Sequence, residues 1–354
     1  MSNYKLKSKF VEKLEVSYVP HLPLQGHCPR VFVHGEPNKK YVVKFYDGSG
    51  EKVWTQETQN NTTIIGERQW YTNWRITLES GGKIIDEDIF NLKNKTVFIK
   101  IDGYALGDNL AWIPYVEEFR KKHNCQVICS SFFNQLFAPS YPHILFVKPN
   151  IDIDNIYAQY FIGAGKEGHN IKYSPTSTKE IPLQKTACDI LGLKYQEVRP
   201  KVVKPNFGGP SIKGKYVTIS EFASADFKMW NGNWQTIVNH LKSLGYKVVV
   251  ISKEPTSLTG IIDKTGDLRY IDRINDLTYA EFHIGVSSAL SWLSWATGTH
   301  VFMISDFTPP SHEFQSGVTR LYDPKFKKSV VVNFKPKHQI STEKVISKIN
   351  EYLK

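Results

Sequence analysis

Residues 96–129 read TVFIKIDGYALGDNLAWIPYVEEFRKKHNCQVIC. The first six residues are a nearly continuous apolar run, which is typical of a strand buried on both faces. A helical period follows, with apolar residues at every third position: Leu110, Ile113, Val116 and Phe119. A second buried-type strand covers residues 126–129. Because a strand, a helix and a strand in succession form the unit of a parallel sheet, we predict an α/β fold.

The sequence before this unit has a different pattern. Short strand-like segments at residues 31–33, 41–46, 52–55 and 74–78 are separated by turn sequences such as Asp47-Gly48-Ser49-Gly50. We therefore predict an all-β N-terminal module over residues 1–94. Its aromatic residues Trp54, Trp70, Tyr71 and Trp74 fit two roles, a binding face or a core.

A second set of alternating elements follows the linker at residues 204–210, which contains Lys, Pro and Gly. The predicted strands cover residues 216–220, 247–251, 268–271, 283–286 and 301–304. The predicted helices cover residues 234–244, 290–296 and 343–353. Together the two halves predict two Rossmann-like domains facing a cleft, at residues 95–204 and 205–354, the second ending in a C-terminal helix.

Composition narrows the class of protein. The 354 residues contain no run of about 18 apolar residues and no apolar N-terminal stretch, so we expect a cytoplasmic protein. The four cysteines are too few and too scattered to indicate a disulfide framework, a zinc site or an iron site.

The net charge of +11 is concentrated near the C-terminus, where residues 320–354 contain nine basic and three acidic residues. A solvated basic surface explains this tail, and contact with a membrane surface would suit it as well. Without an Arg-rich run or zinc-finger spacing, we do not predict a nucleic-acid partner.

Three loops between a strand and a helix are candidates for the functional site, because ligands of open parallel sheets bind beyond the carboxyl ends of the strands. In residues 103–109, Asp108 is either a helix N-cap or a general base. In residues 220–230, Ser224 and Lys228 would hold a diphosphate, or Lys228 is merely exposed and Trp230 belongs to the core. In residues 285–296, small residues precede a helix whose N-terminus would take a pyrophosphate, unless Ser287 or Ser288 only caps it.

Other motifs carry less weight. The strings Asp86-Glu87-Asp88 and Asp152-Ile153-Asp154 are typical of metal-dependent glycosyltransferases only where they end a strand of a nucleotide-binding sheet, and neither is so placed. No nucleophile elbow or P-loop is present, so hydrolase and kinase functions have no motif.

Taken in order, the loop sequences resemble those of a known family. Gly107-Asp108-Asn109, Lys228-Met229-Trp230 and the run GVSSALSWL at residues 285–293 are similar to the ADP-heptose-dependent heptosyltransferases of the GT-B fold. The similarity spans residues 95–322, includes residues 304–314, and is greatest to the autotransporter O-heptosyltransferases. That subgroup also has a β-rich module before its catalytic domains.

The resemblance implies an inverting, metal-independent transfer of heptose from ADP-heptose to a hydroxyl, on a protein serine of an autotransporter passenger or adhesin. It implies that residues 95–204 lie on the acceptor side and residues 205–354 bind the nucleotide sugar. Asp108 matches the catalytic aspartate and Lys228 the lysine that holds the donor phosphates. The donor site would further include Ser224, Trp230, Glu254, Ser287, Ser288 and Ala289, and the acceptor side Gly107, Asn109 and His312.

Two departures from the family pattern leave alternatives open. Ser287-Ser288-Ala289 and Trp292 stand where the lipopolysaccharide-core enzymes have Asp-Thr-Gly and His. No cysteine follows Cys188, so the iron-binding segment of the autotransporter subgroup is missing and we predict no iron. The alternatives are another nucleotide-sugar donor such as a UDP-sugar, with Lys253 and Glu254 near the base, a saccharide acceptor, or a non-catalytic binding scaffold.

Overall fold

A computed structural model describes residues 11–19, 28–163, 174–177, 181–205, 208–305, 312–322 and 340–354. Within them, two antiparallel sheets precede two parallel sheets that are flanked by helices. The predicted fold, two Rossmann-like domains after an all-β module, is confirmed. Among the described helices, none has the length and apolar character needed to cross a membrane.

The N-terminal module is built from short antiparallel strands. They are β1 (Lys13–Ser17), β2 (Arg30–His34), β3 (Lys40–Tyr46), β4 (Lys52–Gln59), β5 (Thr62–Ile65), β6 (Arg75–Ser80) and β7 (Lys83–Ile89). One sheet has the order β1-β2-β5 and the other β4-β3-β6-β7. The alternation along β3 buries Val43 and Phe45, and Ile76 and Leu78 of β6 are buried with them. Trp74 is also buried, so this aromatic residue belongs to the core.

The first parallel sheet follows directly. Its elements are β8 (Thr96–Ile101), α1 (Leu106–His123), β9 (Gln126–Ser131), α2 (Asn134–Phe137), a 3₁₀ turn (Ala138–Ser140), β10 (Ile144–Val147), β11 (Ala158–Phe161) and α3 (Leu183–Ile190). The strand order is β10-β9-β8-β11, and all pairs are parallel. The central strand β8 covers the residues predicted from its apolar run, and α1 buries the predicted period of apolar residues.

The second parallel sheet is larger. Its elements are β12 (Tyr216–Ser220), a 3₁₀ turn (Asp226–Lys228), α4 (Trp234–Ser243), β13 (Lys247–Val250), β14 (Ile262–Asp263), α5 (Tyr270–Thr278), β15 (Phe282–Val286), α6 (Ala289–Thr297), β16 (His300–Ile304), β17 (Val318–Leu321) and α7 (Thr342–Tyr352). The strand order is β14-β13-β12-β15-β16-β17.

The predicted strand at residues 268–271 is wrong, because α5 begins at Tyr270. The buried apolar residues of α5, Ile274 and Leu277, are spaced three apart, so they lie on one side of a helix and face the core.

The β-module is packed against the first parallel sheet. The ring of Tyr18 contacts that of Tyr157, and the Tyr71 amide donates to the carbonyl of Ile190 at 2.8 Å. A single buried apolar cluster runs from the module through α1 to α6. Because this cluster is continuous, the core gives no sign of separate domains, and the proposed domain boundaries after residues 94 and 204 stay predictions.

Candidate active site

A cavity of about 670 Å³ lies between the two parallel sheets, at the carboxyl ends of their strands. Its volume is in the range of small-ligand sites, roughly 300–1,000 Å³. Most of the predicted site residues line this cavity: Gly107, Asp108, Ser224, Glu254, Lys228, Ser287, Ser288, Ala289 and His312. All three predicted loops therefore contribute to one site.

Asp108 lies in the first turn of α1 and lines the cavity. The N-cap of α1 is Ala105, without a side-chain cap, so the alternative role of Asp108 as N-cap is wrong. A Cβ at Gly107 would lie 3.4 Å from Cδ1 of Trp292 and 3.8 Å from Cα of Ala289. The small residue lets α1 approach α6 closely, and this places Asp108 beside the N-terminus of α6.

Asn109 does not line the cavity, so our prediction that it contacts the acceptor is wrong. It is fully buried, and its Nδ2 donates to the carbonyls of Gly103 at 2.8 Å and Ala105 at 3.0 Å. Its Oδ1 accepts a hydrogen bond from Ser131 at 2.8 Å. Position 109 falls on the buried face of α1, so this amide fixes the loop that precedes Asp108.

The loop after β12 brings Ser224 and Lys228 to the cavity. A 3₁₀ turn at Asp226–Lys228 directs the chain there, closed by the Lys228 amide on the Ala225 carbonyl at 3.0 Å. An ammonium and a hydroxyl on one loop are suited to bind phosphate oxygens.

Trp230 was predicted to bind the donor, and the structure shows otherwise. It is 4% exposed, packs edge-on against Trp234, and its Nε1 donates to the carbonyl of Ile340 at 2.8 Å. A large indole whose polar atom has a backbone partner is a core residue. Trp230 supports the loop that carries Lys228 and does not touch the cavity.

The N-terminus of α6 opens on the cavity at Ser288 and Ala289. Ser288 is the N-cap, yet its side chain makes no capping bond, and its buried Oγ has no hydrogen-bond partner among the described residues. The first amides of a helix have no partner within the helix and carry the positive end of its dipole. With Lys228 on the same cavity, this arrangement is suited to an anion such as a diphosphate.

Ser287 lies in the loop before α6, but its hydroxyl already has a hydrogen-bond partner. It donates to Oε1 of Glu313 at 2.7 Å, and Arg320 forms an ion pair with the other oxygen of that carboxylate. The side chains of Glu313 and Arg320 are both buried, and Glu313 also lines the cavity, so the pair fixes the loop at the cavity wall. Sequence analysis missed this role, because residues 287, 313 and 320 meet only in the fold.

His312 lies at the edge of the cavity and is neutral at pH 7. Burial lowers its pKa to about 4, which nearby Arg320 and Lys228 favour and the charge of Asp108 opposes. Nδ1 lies 3.2 Å from the carbonyl oxygen of Ile181, which can only accept a hydrogen bond, so Nδ1 carries the proton and donates. Nε2 is therefore the hydrogen-bond acceptor of this ring and can orient a substrate hydroxyl.

The cavity also has lining residues that sequence analysis did not assign to it: Tyr104, Arg269, Tyr270 and Arg273. Tyr104 is 78% exposed and stacks on Phe132 with ring centroids 3.9 Å apart. Tyr104 stands in the loop before α1, so an exposed aromatic pair adjoins Asp108. Lys253, proposed for the nucleotide base, also lines the cavity.

The donor set of the described residues does not fit an iron site. No group of three or more His, Cys, Asp or Glu side chains lies together in this part of the chain. Burial raises the pKa of Cys125 to about 11 and of Cys188 to about 12, which keeps both as thiols and disfavours metal thiolates.

The Asp-x-Asp strings lie away from the cavity. In β7, Asp86 accepts from the amide of Leu14 in β1 at 2.7 Å, and Asp88 accepts from the hydroxyl of Tyr18, which directly follows β1. Asp152 and Asp154 are exposed in the segment between β10 and β11.

Some predicted features lie outside the described residues. They are residues 306–311 of the family-like segment, residues 206–207 of the linker, and residues 323–339, which carry most of the basic tail.

The sequence is similar to several curated proteins, although no protein-family model matches it. Autotransporter heptosyltransferase BAHTCr of Citrobacter rodentium is 32% identical over 296 residues, which cover 78% of this chain and 71% of that protein. The inactive autotransporter heptosyltransferase BimC of Burkholderia thailandensis is 28% identical over 268 residues, covering 72% of this chain and 63% of BimC.

The structure is similar to that of TibC from enterotoxigenic Escherichia coli, an iron-containing dodecameric glycosyltransferase. Its crystal structure superposes with a TM-score of 0.79 at 25% identity, covering 96% of each chain. TibC in complex with ADP-D-β-D-heptose superposes with a TM-score of 0.78 at 26% identity, covering 95% of this chain and 99% of TibC.

Proposed function

Since this chain belongs to the autotransporter heptosyltransferase family, we propose that it transfers a heptose from ADP-heptose to a hydroxyl group. The ADP-heptose complex of TibC supports this donor. Because the family includes the inactive BimC, membership alone does not decide between an enzyme and a binding scaffold. The observation that carries the proposal is that Asp108, Lys228 and the N-terminus of α6 line one cavity.

In the proposed reaction, the acceptor oxygen attacks the anomeric carbon of the heptose. The Asp108 carboxylate takes the proton of the acceptor hydroxyl as the new C–O bond forms. The bond between the anomeric carbon and the phosphate oxygen breaks, and ADP leaves from the opposite face of the sugar. This displacement inverts the anomeric configuration, and the proton then passes from Asp108 to solvent.

The departing diphosphate gains negative charge on the oxygen that held the sugar. Lys228, Ser224 and the amides at the start of α6 stabilise that charge, since preorganised donors act most strongly in a closed site. We propose that these groups replace a divalent cation. No step is assigned to iron, because the described residues offer no fitting ligand set.

We propose that the acceptor is a serine of a protein such as an autotransporter passenger or adhesin. The names of the relatives support an autotransporter-linked substrate. The exposed Tyr104–Phe132 pair gives the acceptor side a surface that suits apolar contacts next to Asp108. A saccharide acceptor would use the same surface by stacking its C–H face.

Calorimetric titration with ADP and with UDP tests the donor. We expect ADP to bind and UDP to bind much more weakly. As a control, the same titrations with the Lys228→Ala chain should give reduced heats with ADP. Preferential binding of UDP would replace ADP-heptose by a UDP-sugar, and absence of binding by either nucleotide would favour the non-catalytic scaffold.

A further inference from the structure

One wall of the cavity is a long loop whose two ends meet at one buried side chain. Residues 251–269 run from the end of β13 through β14 to α5, and Lys253, Glu254, Gly266 and Asp267 of this segment line the cavity. Arg273, in the first turns of α5, lines the cavity beside them and is 4% exposed.

The Arg273 guanidinium binds three backbone carbonyls. One terminal nitrogen donates to the carbonyl of Gly266 at 2.8 Å and to that of Ser252 at 3.3 Å, and the other donates to the carbonyl of Lys264. Ser252 is at the start of the loop, whereas Lys264 and Gly266 are at its end. A planar guanidinium with five donors can bridge such a set, and the single nitrogen of lysine cannot.

The same loop is tied to the segment that carries the phosphate-binding residues. The Glu221 amide donates to Oγ of Ser252 at 3.1 Å, and Oγ1 of Thr256 donates to the Glu221 carboxylate at 2.5 Å. Glu221 follows β12 and precedes Ser224 and Lys228. The contacts of Arg273 are therefore connected to both walls of the donor half of the cavity.

We propose that Arg273 is a positioning residue that fixes the nucleoside-side wall of the cavity. The assignment of that wall rests on the proposed function. With the diphosphate at the start of α6 and the heptose directed toward Asp108, the nucleoside is left with residues 251–269. Arg273 acts on the ligand through this loop, since its guanidinium is occupied by the loop carbonyls.

Hydrogen exchange and calorimetry on the full chain test this role. In Arg273→Lys, we expect faster amide exchange in residues 252–266 and about 10- to 100-fold weaker ADP binding, as for the loss of charge-assisted hydrogen bonds. In Arg273→Ala, methylguanidinium should restore part of the ADP affinity, because the vacated position borders the cavity.

Two control variants separate positioning from general loss of stability. Val43→Ala removes a buried side chain of β3, whose neighbours in its sheet are β4 and β6, and it should lower the melting temperature while ADP affinity stays unchanged. Arg75→Ala removes an exposed arginine of β6 and should change neither quantity.

The outcomes distinguish this inference from the proposed function. If the wild-type chain binds ADP, and Arg273→Lys changes neither the ADP affinity nor the amide exchange, only the role of Arg273 is overturned. Equal weakening of ADP binding in Val43→Ala would also overturn it, because stability would then explain the effect. A wild-type chain that binds no ADP overturns the proposed function and, with it, the nucleoside assignment.

Discussion

Asp108→Asn should lower the rate of heptose transfer by about 10²- to 10⁴-fold, the usual contribution of a general base. Asparagine keeps the size and the hydrogen-bonding capacity of the side chain but cannot take the proton from the acceptor. The carboxylate stands in the first turn of α1 and not at its cap, so the helix should form in the variant. Initial rates of ADP release at saturating donor and acceptor measure the effect.

Binding of ADP to the same variant should stay close to that of the wild type, because Lys228 and the α6 N-terminus are unchanged. Asp152→Asn is the matched control: it removes an exposed carboxylate outside the cavity lining and should leave the rate unchanged. A wild-type rate for Asp108→Asn would remove Asp108 from the mechanism. A loss of ADP binding equal to the loss of rate would instead make Asp108 a donor-binding residue.

Lys228→Ala should weaken both donor binding and catalysis. Loss of a charge-assisted hydrogen bond to phosphate corresponds to about 10- to 100-fold in ADP affinity. Loss of a donor that stabilises the leaving diphosphate corresponds to about 10²- to 10³-fold in kcat. Calorimetry with ADP and steady-state kinetics with ADP-heptose separate the two effects.

Lys228→Arg keeps the positive charge and should recover part of both quantities. Lys194→Ala, which removes an exposed lysine outside the cavity lining, should change neither. An unchanged ADP affinity in Lys228→Ala would show that Lys228 does not bind the diphosphate. The N-terminus of α6 would then bind it without Lys228.

The general fold was predictable because its signals are local. The apolar run of β8 and the helical period of α1 lie within 30 consecutive residues, and both elements appear where these patterns place them. The segment at residues 268–271 has the same apolar character over a shorter length. There only the later residues Ile274 and Leu277 indicate a helix, so the local pattern was misleading.

The site was predictable in its loops but not in the roles of single residues. Asp108 and Lys228 reach the cavity because each follows a strand at the carboxyl edge of a parallel sheet. Trp230 and Asn109 stand in the same loops, and only tertiary contacts show that they face the core.

Long-range pairs explain the rest of what sequence analysis missed. The Ser287–Glu313–Arg320 network and the contacts of Arg273 with residues 252–266 join side chains and carbonyls that are separated along the chain. No spacing rule predicts such pairs, because each depends on how the strands of the second sheet are ordered.

The central claim is that this cavity transfers heptose to a protein hydroxyl without a divalent cation. The most direct measurement is release of ADP from ADP-heptose by the purified chain, with a serine-rich autotransporter passenger fragment as acceptor, in the presence and absence of EDTA. A fragment with its serines replaced by alanine is the control. We predict ADP release that requires the serine fragment and persists in EDTA; ADP release that is absent with the serine fragment, or is abolished by EDTA, would contradict this account.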